Sequence, residues 1–174
     1  STAAVYGEPK STPVREDDPR EPINPYGRSK LVVEWMLADT ARAHRLRYAA
    51  LRYFNVAGAD PRGRSGQSTA NATHLIKVAV QAALGMRKGM DVFGTDYPTP
   101  DGSCLRDYIQ VTDLVRAHMD ALRYLRAGGD SITCNVGYSR GYSVLEVIET
   151  VKRVSGVDFE VRLAPRRAGD PAAI

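Results

Sequence analysis

Segments with the spacing of amphipathic helices alternate along the whole chain with short segments rich in β-branched and aromatic residues. Neither an internal repeat nor a low-complexity stretch interrupts this alternation. A chain of this kind folds as an α/β protein, with helices packed on a largely parallel sheet. Its 174 residues, 43% of them hydrophobic, suffice to bury a core and suit one domain.

Caps and turn residues set the limits of the predicted elements. Asn24 can cap a helix, and Ser143 forms a capping box with Glu146. We expect Trp35 and Val154 on the buried faces of the first and last helices. Helices are predicted over residues 24–44, 73–84, 112–125 and 143–154. Strands are predicted over residues 48–54, 91–93, 106–109, 131–136 and 159–163, with a strand end at 2–6 and a loop at 55–70.

Charge and cysteine content exclude several classes of protein. The net charge is +4, but the basic residues are scattered, which favours the phosphate of a small ligand over nucleic acid. Cys104 and Cys134 lack metal-ligand spacing and suit buried thiols in a reducing compartment, and no metal site is predicted. No apolar run reaches the roughly 18 to 20 residues of a membrane span, and no secretory signal begins the chain. We therefore expect a cytoplasmic protein that does not bind membranes.

Tyr26 and Lys30 lie one helical turn apart, so a phenol and an ammonium share one helix face. This spacing puts their Cβ atoms about 5 to 6 Å apart. A nearby cation favours the phenolate, and the pair therefore suits a tyrosine that acts as a general base. The pattern alone is weak, because the chain has nine tyrosines, and a structural role is the default interpretation without further context.

Three short segments resemble the extended short-chain dehydrogenases that act on nucleotide sugars: residues 1–7 (STAAVYG), 24–30 (NPYGRSK) and 51–56 (LRYFNV). Four later segments narrow the resemblance to the UDP-glucose 4-epimerases: residues 91–99 (DVFGTDYPT), 101–102 (DG), 106–109 (RDYI) and 164–170 (APRRAGD). The segments follow the order of the family at similar spacing, and together they extend over essentially the whole chain. Because several independent motifs agree, the resemblance is specific.

The resemblance implies a particular α/β architecture. The chain would form the C-terminal part of a doubly wound, Rossmann-like parallel sheet and most of a smaller α/β domain that binds a nucleotide sugar. Residues 1–56 would be the latter part of the NAD-binding domain and carry the catalytic tyrosine and lysine. Residues 57–174 would belong mainly to the UDP-sugar-binding domain, interleaved with Rossmann elements near residues 106–136.

The resemblance also implies roles for four residues. Tyr26 would take the proton of the sugar 4-hydroxyl while a hydride passes from C4 to NAD, after which the 4-keto sugar turns over and is reduced on its other face. Lys30 would favour the phenolate and bind the nicotinamide ribose, and Tyr53 would contact the cofactor. Thr2 would bridge Tyr26 and the sugar oxygen, in place of the serine that many relatives carry.

A UDP-sugar pocket is implied in the same way. Its residues, by position in the family motifs, would be Asn55, His74, Leu75, Asp91, Phe93, Arg106, Arg167 and Asp170. Arginine binds diphosphate through bidentate, charge-assisted hydrogen bonds, so we expect Arg106 and Arg167 at the pyrophosphate. Asp170 is expected at the uridine ribose, and residues 91–93 at the uracil. The alternatives are solvated charges for the two arginines and core packing for Phe93.

Ala3 and Ala4 distinguish between reaction types. Sugar 4,6-dehydratases of the same superfamily carry acids at the corresponding positions and use them to eliminate water. Methyl groups cannot transfer protons, so epimerisation is favoured over dehydration. The sequence leaves open a UDP-pentose 4-epimerase, a fragment that binds nucleotide sugars without catalysis, and an unrelated α/β domain with coincidental motifs.

No glycine-rich dinucleotide-binding turn of the form G-x-G-x-x-G or G-x-x-G-x-x-G occurs in the chain. In the family this turn precedes the segment that resembles residues 1–7. We therefore expect the chain to be a middle-to-late part of a longer enzyme and to be inactive by itself. The resemblance further implies that the parent enzyme is a homodimer with the Tyr26 helix at its interface.

Overall fold

Four α-helices and seven short strands alternate in the computed structural model, which describes residues 1–174. The helices are α1 (Pro25–Ala43), α2 (Leu75–Ala83), α3 (Val111–Arg126) and α4 (Val144–Ser155). The strands are β1 (Ala49–Tyr53), β2 (Asn55–Ala57), β3 (Gly89–Phe93), β4 (Leu105–Gln110), β5 (Ile132–Val136), β6 (Gly141–Ser143) and β7 (Glu160–Ala164). All four predicted helices are present, with ends within two residues of those expected.

Parallel pairing of strands that are distant in sequence organises the sheets. β1 pairs with β5, β2 with β4, and β3 with β7, all in parallel, while β6 joins β4 in antiparallel orientation. In the first pair Leu51 lies opposite Cys134. Parallel partners require crossover connections, which the intervening helices supply. The predicted α/β class with Rossmann-like parallel sheets is therefore confirmed.

Helix α1 begins as the sequence predicts. The Asn24 side chain accepts a hydrogen bond of 2.8 Å from the Gly27 amide. The buried residues of α1 are Gly27, Leu31 and Glu34, whereas Trp35 is 54% exposed. The prediction that Trp35 faces the core was wrong, because an ion pair with Arg52 of β1 draws Glu34 to the sheet instead.

Local hydrogen bonds and short strands account for the other differences from the predicted elements. Residues 3–6 form a 3-10 helix rather than a strand end, because the Thr2 hydroxyl accepts from the Ala4 amide and starts a turn. The expected loop at residues 55–70 begins with β2, and β6 was not predicted. Both strands have three residues, which is too short to show an alternating pattern. Val154 is 76% exposed, so its predicted burial was wrong.

Two apolar clusters hold separate parts of the fold. The larger joins α2 and α4 to β3 and β7, and its buried members are Val78, Ala79, Ala82, Met90, Val92, Ile148 and Phe159. The smaller packs the 3-10 helix against α1 through Ala3, Val5, Tyr6 and Leu31. The predicted capping box at Ser143 and Glu146 is confirmed and fixes the start of α4 above the larger cluster. None of the helices has the length and apolarity to cross a bilayer.

Candidate active site

A cavity of about 1160 Å³ lies where β1, β2 and β4 meet the first turns of α1 and α2. The segment 169–174 closes one side of it. Eight of the residues predicted from the sequence line this cavity: Thr2, Tyr26, Tyr53, Asn55, His74, Leu75, Arg106 and Asp170. Residues from six different stretches of the chain thus converge on one space large enough for a nucleotide sugar.

Tyr26 is the second residue of α1; it is 52% exposed and lines the cavity. The Lys30 Nζ lies 5.6 Å from the centroid of the Tyr26 ring, as the i,i+4 spacing predicts. This distance is within the range of a cation–π contact and keeps a positive charge beside the phenol. Lys30 itself is half-buried and does not line the cavity.

Thr2 and Tyr53 lie next to each other in the lining of the cavity. Thr2 forms an isolated parallel bridge with Tyr53, the last residue of β1. The Thr2 hydroxyl accepts a 3.2 Å hydrogen bond from the Ala4 amide. A hydroxyl has one donor and two acceptor positions, so its proton remains available to a ligand oxygen. Thr2 is only 7% exposed, and it contributes to the lining of the cavity.

The C-terminal segment is attached to the start of the Tyr26 helix. The side-chain amide of Asn24, which caps α1, donates a 3.3 Å hydrogen bond to the Gly169 carbonyl. Gly169 has φ of 80°, a left-handed conformation that favours glycine. The next residue, Asp170, is thereby held on the same cavity as Tyr26, although the two are far apart in sequence.

Two arginines flank the Asp170 carboxylate. Arg106 NH2 lies 3.8 Å from Asp170 Oδ1, and Arg167 Nε lies 3.8 Å from Asp170 Oδ2. The Arg167 guanidinium also stacks over the Phe93 ring, at 3.9 Å from its centroid. The structure therefore brings together four residues predicted to bind substrate, although only Arg106 and Asp170 line the cavity itself.

Asp91 has a different partner. Its carboxylate accepts a 2.8 Å hydrogen bond from Arg162 Nε on β7, the strand that pairs with β3. Neither Asp91 nor Phe93 lines the cavity, and the stacking of Phe93 is with Arg167. These two residues therefore lie outside the cavity, and their role at a uracil ring stays a prediction.

His74 connects the cavity to the long loop between β2 and α2. Its Nδ1 lies 2.7 Å from Gln67 Nε2, within hydrogen-bonding distance. Lys77 donates to the carbonyl oxygens of Gln67 and Thr69, at 2.7 and 3.1 Å. These bonds hold the loop over the mouth of the cavity, where Gln67 and Lys77 join its lining.

Tyr108 is a cavity residue that the sequence analysis did not single out. Burial raises the pKa of its phenol to about 12, so it is a neutral hydrogen-bonding group at physiological pH. Strand alternation was the available signal, because Arg106 and Tyr108 are two residues apart on β4 and share a face. Tyr108 therefore adds a polar group to the cavity lining beside Arg106.

The residues present fit one end of NAD. A half-buried ammonium, a phenol and a second tyrosine, from Lys30, Tyr26 and Tyr53, are groups that can bind a ribose and a nicotinamide. Binding of the dinucleotide pyrophosphate requires a glycine-rich strand-to-helix turn, and no strand of residues 1–174 leads into one. No group of three or more metal-ligating side chains is brought together.

The fold has parallel strands joined by crossover helices, and a tyrosine and a lysine lie one helical turn apart near the cavity. This combination is typical of short-chain dehydrogenase-like enzymes. Residues 1–137 match the family model described as "NAD dependent epimerase/dehydratase family". The chain belongs to that family. The resemblance to the UDP-glucose 4-epimerases that the sequence motifs indicated is confirmed by its relatives.

The UDP-glucose 4-epimerase of Azospirillum brasilense is 61% identical over 171 residues, which are 98% of this chain and 49% of that protein. Among solved structures, UDP-glucose 4-epimerase from Brucella ovis in complex with NAD is 48% identical with a TM-score of 0.94, over 99% of this chain and 53% of that one. The enzyme from Stenotrophomonas maltophila, with bound NAD and formylated UDP-arabinopyranose, is 43% identical with a TM-score of 0.93, over 99% and 52%. The chain spans about half the length of these relatives.

Proposed function

We propose that this chain is part of an NAD-dependent UDP-glucose 4-epimerase, an isomerase that interconverts UDP-glucose and UDP-galactose. The observation that carries the proposal is the convergence of Thr2, Tyr26, Arg106 and Asp170 on one cavity. A proton-transfer group and an anion-binding group then lie at two parts of the same space, as oxidation at C4 of a UDP-sugar requires. Relatives that bear this name and match nearly the whole chain support it.

The chain's own residues account for proton transfer at C4. Tyr26 Oη takes the proton of the sugar 4-hydroxyl and later returns it, while the charge of Lys30, whose Nζ lies 5.6 Å from the centroid of the Tyr26 ring, favours the phenolate. The Thr2 hydroxyl donates to the sugar oxygen and aligns it with Tyr26. NAD, held in part by Lys30, Tyr26 and Tyr53, supplies the hydride acceptor. Rotation of the 4-keto sugar before its reduction inverts the configuration.

Anchoring of the nucleotide leaves the sugar free to rotate. Arg106 and Arg167 bind the pyrophosphate, Asp170 accepts from the uridine ribose, and Tyr108 contributes a neutral phenol. Asn55 and Leu75 contribute to the UDP-sugar pocket, His74 is assigned to the diphosphate, and Asp91 and Phe93 are assigned to the uracil edge and face. Because the reacting ring is not held by these groups, both of its faces can be presented in turn.

The residues after Thr2 favour epimerisation over elimination of water. Ala3 and Ala4 line the cavity with methyl groups, where an acid would be needed to protonate a leaving hydroxyl. A UDP-pentose 4-epimerase would use the same chemistry. It is the second candidate, because one solved relative carries a formylated UDP-arabinopyranose.

The strand pairing supports the proposed division of the chain between two domains. Residues 1–56 carry Tyr26 and Lys30 and supply part of the NAD-binding domain, to which the chain returns when β5 pairs with β1. Most of residues 57–174 forms the UDP-sugar-binding domain around the β3–β7 pair. Since the chain lacks a glycine-rich cradle, the isolated chain is inactive.

A homodimer is proposed for the parent enzyme, with α1 at its interface. The solvent side of α1 is strongly apolar, with Val32, Val33, Trp35 and Met36 between 45% and 62% exposed. Substitution Met36→Glu in the full-length protein would convert a dimer to a monomer in light scattering, whereas Arg42→Glu on the same helix would not. The free thiols of Cys104 and Cys134 support a cytoplasmic location.

The full-length protein supplied with NAD and UDP-galactose tests the activity. We expect UDP-glucose to accumulate to equilibrium, measured by a coupled UDP-glucose dehydrogenase, and Tyr26→Phe to reduce turnover at least a hundredfold. Tyr124→Phe, which changes a remote tyrosine of α3, would leave turnover unchanged. The proposal is wrong if no UDP-hexose or UDP-pentose is inverted at C4, or if Tyr26→Phe keeps the full rate.

A further inference from the structure

A buried ion pair joins α1 to β1 outside the cavity. Arg52 donates from Nε and NH2 to the two carboxylate oxygens of Glu34, at 2.9 and 2.7 Å. The side chains are only 3% and 6% exposed. Burial alone disfavours both charges, yet hydrogen bonds from Arg52 and Ser1 outweigh it and hold the pKa of Glu34 below its usual range. The pair is therefore ionised in a site where an unpaired charge would be costly.

Three further segments attach to this pair. Ser1 Oγ donates to Glu34 Oε1 at 2.5 Å. Arg52 NH1 donates to the Tyr6 hydroxyl at 2.8 Å and to the Glu16 carbonyl at 3.0 Å. The Tyr6 hydroxyl in turn donates to Asn135 Oδ1 on β5 at 2.6 Å. One network thus connects the 3-10 helix, α1, β1, β5 and the loop after Gly7.

Each of the three segments that carry the residues proposed for catalysis and cofactor binding also carries a member of this network. Ser1 precedes Thr2, and Arg52 precedes Tyr53. On α1, Glu34 lies one turn beyond Lys30 and two turns beyond Tyr26. The network connects these three segments through hydrogen bonds, but no member of it lines the cavity.

We propose that Glu34 and Arg52 are positioning residues for the reaction at C4: their ion pair, extended by Ser1 and Tyr6, sets the distance between the Tyr26 phenol and the Thr2 hydroxyl. The inference rests on the proposed function. Proton transfer is sensitive to such geometry, and a displacement of about 1 Å lowers rates by about a hundredfold. Nucleotide anchoring by Arg106 and Asp170 is carried by other elements and is independent of the pair.

Kinetics of the full-length protein at 25 °C separate this role from a purely structural one. For Glu34→Gln and Arg52→Met we expect kcat to fall at least tenfold while KM for UDP-galactose changes less than threefold. The double variant falls no further than either single one, because the two side chains act as a unit. Tyr6→Phe, which keeps the ion pair and removes one hydroxyl, lowers kcat about threefold and decides the matter if the charge variants do not fold.

Ile148→Val is the control for lost stability, since Ile148 lies 1% exposed in the other apolar cluster. We expect it to lower the melting temperature without lowering kcat. A second readout is independent of turnover: amide hydrogen exchange of residues 24–31 accelerates in Glu34→Gln and Tyr6→Phe but not in Ile148→Val. The inference is overturned if the network variants lose stability but retain kcat, or if exchange of residues 24–31 is unchanged. If the wild-type protein does not invert C4, the proposed function itself is wrong. The hydrogen-exchange data would still show whether the network positions α1.

Discussion

Gly27 of α1 packs directly against the backbone of Ala4, which lies two residues after Thr2. A β-carbon at position 27 would lie 3.1 Å from the Ala4 carbonyl carbon, closer still to its oxygen, and 2.9 Å from Pro22 Cβ. Only glycine allows this approach, because the neighbours are backbone and a rigid proline ring. The contact brings the start of the Tyr26 helix onto the segment that carries Thr2.

Gly27→Ala should therefore push α1 away from the 3-10 helix. We expect the free energy of unfolding to fall by about 1–3 kcal/mol, the usual effect of overpacking, as measured by urea denaturation. Gly66→Ala is the matched control, because Gly66 is exposed and its nearest neighbour would be the Ala59 side chain at 3.6 Å. Equal effects of the two substitutions would show that the Ala4 contact is not tight.

Acid should weaken the fold through Glu34. The folded-state pKa of this carboxyl is depressed by its bonds to Arg52 and Ser1 despite burial, so the unfolded chain takes up the proton more readily. The stabilisation is complete above the unfolded value of about 4.3 and is lost as the pH falls through the lower, folded pKa. The stability advantage of wild type over Glu34→Gln should be constant between pH 6 and 7 and decline below pH 4. A constant difference down to pH 2 would contradict this.

Replacement of the two clustered arginines should weaken nucleotide binding. Arg106→Lys and Arg167→Lys each keep the charge but remove the planar fork, and Arg167→Lys also weakens the stacking on Phe93. We expect UDP affinity of the full-length protein to fall about tenfold for each, measured by calorimetry, since bonds to charged groups contribute about 1.5–3 kcal/mol. Arg116→Lys, on the exposed face of α3, provides the control. Unchanged UDP affinity in both site variants would contradict the assignment.

The start of α4 should depend on the Ser143 side chain. Its hydroxyl accepts from the Glu146 amide at 3.0 Å and donates to the Asp101 carboxylate. Ser143→Ala should cost about 1–2 kcal/mol of unfolding free energy, from the lost helix cap and the lost hydrogen bond to Asp101. Ser155→Ala, at the exposed end of the same helix, should cost much less. Thermal unfolding of the two variants compares them directly.

Several features followed from the sequence because they depend on neighbours within one or two turns. Asn24 and Ser143 cap their own helices, and the spacing of Tyr26 and Lys30 fixes their shared face whatever surrounds them. The motif order also indicated the family. The caps and the spacing depend on neighbouring residues, and the family motifs are short sequence patterns. Both can therefore be recognised without the packed structure.

The tertiary structure decided what depends on distant partners. Glu34 rather than Trp35 turns to the sheet because Arg52 lies there, and no helical period encodes that partner. β2 and β6 exist because β4 offers them an edge. Asp170 reaches the cavity because Gly169 is bonded to Asn24. The sequence therefore determined the types of the site residues and their local spacing. Their convergence on one cavity depends on long-range hydrogen bonds and burial, and the free energy of these interactions is set only when the whole chain is packed.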